Sequence, residues 1–172
     1  DSTVTVSNKS QTTKLDVKAD KDAKLTYKSD NKSVKVDKNG KVTIAKNFVG
    51  KATITVTAAP TKTYKATAKK VAVTVNPAAT KLTSVKNYKG KKLKASWKKN
   101  TKVTGYQVQY STSSKFKSAK TVTVKGYKST GKTITKLTKN KKYYVRVRTY
   151  KTVSKTNYYS GWSGAKSVTI KK

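Results

Sequence analysis

The stretch YYVRVRTYK, Tyr143 to Lys151, decides the reading of this chain. Its residues alternate. Tyr143, Val145 and Val147 fall on one side; Tyr144, Arg146, Arg148 and Tyr150 fall on the other. A period of two marks a strand with one face against a core. The same stretch holds both arginines of the chain, although Lys+Arg number 42. A chain that otherwise uses lysine for every positive charge switches to arginine only here.

Similar runs lie on either side. VTVS (4–7), KLDVKA (14–19), KLTYKS (24–29), SVKVD (33–37), KVTIA (41–45), KATITVTA (51–58) and KKVAVTV (69–75) occupy the first half. KLTSVK (81–86), KLKASWK (92–98), YQVQYS (106–111), KTVTVKG (120–126), KTITKL (132–137) and AKSVTIK (165–171) join the opening stretch in the second. They are rich in Val, Ile, Thr and Tyr, which suit strands. Turn signals separate them, among them Asn39-Gly40, Gly50, Pro60, Gly90, Gly105, Gly131 and Gly161. About seven short alternating strands in each half predict an all-β chain of two tandem immunoglobulin-like β-sandwiches. Asn76-Pro77 is the expected short linker, giving domains 1–77 and 78–172.

The formal net charge is +36, from 42 basic residues and 6 acidic ones. All six acids are aspartates, and the last is Asp37. Cut after Pro77, the first part has 16 basic and 6 acidic residues, net +10; the second has 26 basic and none acidic, net +26. Such charge could signal disorder. Here 34% of residues are hydrophobic, and they alternate with the lysines, as in Val34-Lys35-Val36. The lysines thus form solvated strand faces, which also discourage edge-to-edge pairing.

Cys, Met and His are absent. Disulfide, thiol and zinc chemistry are therefore excluded, and the redox compartment is unreadable from cysteine pairing. With no Glu either, general acid–base candidates reduce to Asp, Lys and Tyr, so an enzyme is not expected. Asp20-Lys21-Asp22 and Asp30-Asn31 offer too few oxygens for calcium, which takes six to eight, and read as turn formers. No cofactor and no metal are expected. No apolar run approaches the roughly 18 residues of a transmembrane segment. Asp1 is not expected to be the natural start, so the chain reads as part of a longer one.

Two family resemblances cover most of the chain. LTYKSDNKSVKVDKNGKVTIAKNFVGKATITVTA (25–58) resembles the bacterial Ig-like group 2 domain. The matching features are Tyr27 with Ser29-Asp30-Asn31, Val34 and Val36, Gly40 and Val42, and Gly50 before Ala52, Ile54 and Val56; Tyr27 stands where that family usually has Trp. Residues 80–172 resemble a fibronectin type III domain. Leu93 and Trp97, then Gly105 to Tyr110, match its second and third strands. Leu137, six residues before Tyr143, with Val145 and Val147, matches its tyrosine-corner strand. The resemblance implies that the Tyr143 hydroxyl bonds nearby backbone and fixes the crossover between sheets. The combination is similar to C-terminal regions of secreted and surface proteins of gut Firmicutes. It implies an extracellular or cell-surface bacterial protein, expected as a monomer.

The fibronectin resemblance also frames the arginines. YSGWS (159–163) resembles the W-S-x-W-S element of cytokine-receptor fibronectin domains, with Tyr159 for the first Trp. There, aromatic rings interleave with arginines of the adjacent strand. The implied structural ladder is Arg146, Arg148, Trp162 and Tyr159, with the guanidiniums sandwiching the indole. A planar guanidinium stacks in a way an ammonium cannot. The alternative is a ligand face of Tyr144, Arg146, Arg148, Tyr150, Gln107 and Gln109.

Charge is the feature most open to binding. Lys91, Lys92, Lys98, Lys99, Lys139, Lys141 and Lys142 form dense clusters that could contact a polyanion. Such clusters could take an anionic cell-wall polymer, an anionic glycan or nucleic acid as partner. Nucleic acid would bind by charge alone, and no specific nucleic-acid recognition is expected. The function that follows is a non-catalytic spacer and envelope-retention unit, or alternatively an adhesin module for a host glycan or protein. Lysine that merely solubilises the surface is the bland reading beside them.

Overall fold

The structure, a computed structural model, describes residues 2–171. They divide into two compact units, the first ending at Asn76 and the second beginning at Pro77. Every regular element among the described residues is a strand.

Unit one has β1 (Ser2–Ser7), β2 (Thr12–Lys14), β3 (Leu25–Ser29), β4 (Val34–Val36), β5 (Lys41–Ile44), β6 (Gly50–Ala58) and β7 (Thr67–Asn76). One sheet runs β1-β7-β6-β3 and the other β2-β5-β4. β1 lies parallel to β7; the remaining pairs are antiparallel. The alternation sends Val34, Val42 and Ile44 into one core with Ile54, Val73 and Val75. Each such side chain contributes about 1.5–3 kcal/mol on full burial.

The strand expected at 14–19 stops at Lys14. Its alternation is real, since Leu15 is buried and Val17 packs on the core. The Leu15 amide, however, donates to the Gly40 carbonyl (3.0 Å), and the backbone then leaves the sheet. Side-chain pattern alone cannot report where a backbone partner ends.

The β4–β5 turn is organised by Asp37. Its Oδ1 accepts from the Asn39 amide (2.8 Å) and the Lys41 amide (2.9 Å). Those two bonds, Lys41's first, hold the Asp37 carboxyl below the usual carboxylate range. Gly40 takes φ +73°, and a Cβ there would stand 3.3 Å from the Tyr27 ring. The positive φ therefore favours glycine, and the Tyr27 ring leaves little room for a side chain. Asp30 Oδ1 accepts from the Thr53 amide (2.7 Å), and Asn31 Oδ1 from the Ser33 amide (2.9 Å).

Unit two has β8 (Leu82–Tyr88), β9 (Lys92–Trp97), β10 (Gly105–Ser111), β11 (Lys120–Lys125), β12 (Gly131–Ile134), β13 (Lys142–Val153), β14 (Thr156–Tyr159) and β15 (Lys166–Thr169). The strands form β12-β9-β8 and β11-β10-β13-β14, with β15 also paired to β13. Leu93, Ala95 and Trp97 of β9 share a core with Tyr106, Val108, Val145 and Val147 of the facing sheet. Gly105 is the tightest point. A Cβ there would collide with the Val124 carbonyl oxygen and lie 2.8 Å from the Tyr150 ring. The Tyr143 hydroxyl accepts from the Thr138 amide (3.1 Å), tying β13 to the connection before it.

Candidate functional site

β13 carries the arginines and β10 supplies their partners. The antiparallel register sets Gln107 opposite Arg148 and Gln109 opposite Arg146. Arg146 Nε donates to Gln109 Oε1 (2.7 Å); Arg148 donates to Gln107 Oε1 from Nε (2.9 Å) and Nη2 (2.7 Å). Each glutamine then donates from Nε2 to a β11 hydroxyl, Thr123 (3.3 Å) or Thr121 (3.1 Å). The glutamines thereby fix each guanidinium plane edge-on.

The flat faces are taken by aromatic rings. Arg146 Cζ lies 4.0 Å from the Phe116 ring centre and 4.8 Å from Trp162. Arg148 Cζ lies 4.4 Å from Trp162 and 4.2 Å from Tyr159. The column reads Phe116, Arg146, Trp162, Arg148, Tyr159. Burial lowers the pKa of both arginines; at Arg148 the Tyr159 hydroxyl opposes this and Arg146 adds to it. An arginine stays charged through such shifts.

Phe116 extends the column beyond the residues that the sequence singles out. It sits between β10 and β11 with φ +56°, an uncommon conformation for a bulky side chain. Its ring covers the Arg146 face that Trp162 leaves open. A lone Phe in SSKFKSAK carries no sequence signal for this role.

Two serines hold Trp162 in place. The Thr149 amide donates to Ser160 Oγ (3.0 Å), and the Ser160 amide donates to the Thr149 carbonyl (3.0 Å). The Val147 amide donates to Ser163 Oγ (3.1 Å), and the Ser163 amide donates to the Val147 carbonyl (2.8 Å). Serine hydroxyls thus stand in for the carbonyls of a neighbouring strand between β15 and β14. The backbone of 160–163 needs no strand conformation, and Trp162 is free to turn over the arginines.

The alternative ligand face needs correction at Tyr150. Outward alternation placed it in solvent, but it is 6% exposed. β14 pairs beside it, its ring centre lies 6.3 Å from that of Tyr159, and Gly105 packs against it. Tyr144 is half-buried, with Lys142 Nζ 5.5 Å from its ring centre. Arg146, Arg148, Gln107 and Gln109 are engaged with one another as described.

All seven candidate lysines are exposed. The Leu137 amide donates to the Lys91 carbonyl (3.0 Å), bringing the β8–β9 turn beside the connection that carries Lys139 and Lys141 and leads into Lys142, the first residue of β13. Lys91, Lys92 and these three therefore share one end of unit two. Lys98 and Lys99 follow β9 at the other end, about 20 Å away at roughly 3.3 Å per residue. Among the described residues no group of three or more His, Cys, Asp or Glu side chains could hold a metal ion, and no helix is long and apolar enough to cross a membrane.

A family model described as "Fibronectin type III domain" matches residues 76–163. Among solved structures, the chain is similar to the crystal structure of chicken CNTN1 FN1-FN3 domains. The identity is 19%, over 78% of this chain and 46% of that one, with a TM-score of 0.48. The chain thus spans less than half the length of that relative. No curated protein sequence matches it.

Proposed function

This chain belongs to the fibronectin type III family, whose sandwiches commonly serve as spacers or adhesion modules, and from that membership we propose a non-catalytic spacer that also retains a bacterial protein at the cell envelope. The retention is electrostatic: exposed lysines of unit two contact an anionic wall polymer such as a polyol phosphate. Unit one is a bacterial Ig-like group 2 domain in this reading. The whole belongs to a longer extracellular protein like those of gut Firmicutes.

The observation that carries the reading is the division of labour between cations. The arginines are consumed by rings and glutamines within the sheet. Among the described residues, the lysines of unit two other than the half-buried Lys151 are exposed, and unit two contains no Asp or Glu to neutralise them. Lysine suffices as a point charge toward phosphate. The adhesin alternative would use the Arg146–Arg148 face, where Tyr150 is covered and the arginines are already stacked.

The test is binding of the full chain to purified cell walls with and without their teichoic acid, over a salt series. Binding should require the teichoic acid and weaken steeply as salt screens it. Binding that ignores salt, or that survives removal of the polymer, overturns the reading.

A further inference from the structure

The two sheets of unit one differ in length. β6 and β7 run 9 and 10 residues, whereas β2, β4 and β5 run 3, 3 and 4. At roughly 3.3 Å per residue the long pair extends about 30 Å and the short sheet about 13 Å. Val34, Val42 and Ile44 of the short sheet share their core with Ile54, Val73 and Val75. The other ends of β6 and β7, at Val56 to Ala58 and Thr67 to Val71, are roofed instead by residues 15–23, which join no strand.

Under that roof lies a hollow of about 810 Å³. Small-molecule sites span about 300–1,000 Å³ and are mostly apolar. The apolar lining here is Leu15, Val17, Leu25, Val56, Ala58 and Val71. The lining takes alternate residues of each strand, Val56 and Ala58 but not Thr57, Val71 and Lys69 but not Lys70. The hollow therefore faces the core side of the long sheet. Lys69 breaks that apolar wall. It continues the series Val75, Val73, Val71 on the inner face of β7, opposite Val56 of β6. The remaining charges of the lining are placed differently. Asp16 and Lys18 take the outward positions beside Leu15 and Val17, and Asp20 and Lys65 lie in connections. Lys69 is thus the one charge of the lining that a strand directs inward. Tyr64, 61% exposed, stands at the mouth.

We propose that this hollow binds one free aliphatic carboxylate of medium chain length. The tail lies between the long sheet and the 15–23 segment, and the carboxylate meets the Lys69 ammonium. The apolar wall selects the tail, and Lys69 selects the sign of the head group. The inference is separate from the polyanion reading, which concerns unit two, and either can fail without the other.

The experiment titrates the ¹³C-methyl-labelled full chain with hexanoate, octanoate and decanoate, each below its micellar concentration, and with octanol as the neutral counterpart. The Val56 and Val71 methyl signals should move and saturate, while those of Val145 and Val147 in unit two stay still. Each added CH₂ should tighten binding about three- to fourfold, the scale of one buried methylene. Lys69→Gln should weaken octanoate about tenfold, the scale of one lost charge-assisted contact, and leave octanol unchanged. Lys70→Gln makes the same charge change on the other face of β7 and should leave both unchanged. Unmoved methyl signals, binding indifferent to chain length, octanol bound as tightly as octanoate, or equal effects of the two substitutions overturns the site. In a cell-wall arm, Lys69→Gln and Lys70→Gln should behave alike. Wall binding without an octanoate response rejects the site and keeps the polyanion reading; an octanoate response without wall binding does the reverse.

Discussion

Arg146→Lys keeps the charge and removes the plane. Arg146 has one ring on each face, at 4.0 and 4.8 Å, and one hydrogen bond to Gln109 at 2.7 Å. Each cation–π contact at a partly exposed site is worth about 0.5–1 kcal/mol, and lysine retains some of it. The bond to Gln109 adds about 1 kcal/mol, because an ammonium cannot hold it while facing both rings. The expected loss is about 1–2 kcal/mol, which for a domain of this size lowers Tm by roughly 4–16 °C. The assay can use the whole chain. Both tryptophans, Trp97 and Trp162, lie in unit two, so indole emission reports that unit alone. Trp162→Leu supplies the control, since Arg146→Lys should cost measurably less once the shared ring is gone. Equal Tm for Arg146→Lys and the parent, or strict additivity with Trp162→Leu, would refute the stacking.

Three further outcomes follow from the geometry. Gly105→Ala pushes a methyl group into the Val124 carbonyl and the Tyr150 ring, so unit two should lose on the order of 3 kcal/mol or fail to fold; chemical denaturation followed by indole emission checks this. Ser160→Ala strips the Thr149 amide of its acceptor in a buried site, at about 1–3 kcal/mol, and should speed hydrogen exchange at Thr149 more than at Val108. Asp37 has a folded pKa below its unfolded one, so the stability it contributes is present above the unfolded pKa and is lost as pH falls through the folded one. NMR titration of the full chain should find Asp37 titrating at lower pH than an ordinary aspartate, and Asp37→Asn should flatten part of the acid limb of unit-one stability.

The all-β class was legible because alternation is a direct image of a strand with one buried face. Val34, Val42 and Ile54, or Val145 and Val147, could hardly be arranged otherwise. What alternation does not carry is the identity of the partner. Leu15 and Val17 alternate without a strand beneath them. Tyr150 points outward and is nonetheless covered, because β14 returns beside it. β14 itself, TNYY, has no apolar alternation to announce it. Arg146 and Arg148 stood out through composition, whereas Phe116 and the two serines did not. Their roles depend on φ angles and hydroxyl positions that a letter sequence does not encode.

The serine-clamped segment also has a mechanical consequence. β15 lies antiparallel to β13, with Thr169 against Lys142 and Lys166 against Val145. The Lys171 amide donates to Asn87 Oδ1 (3.2 Å), so β15 ends beside the end of β8 that lies farther from Pro77. Tension between the two ends of unit two would therefore run along β15 and load its pairs in shear. If they part, the load next meets two serine hydroxyls and an indole wedged between two guanidiniums. The column of rings and arginines is the place where a frayed end would stop fraying.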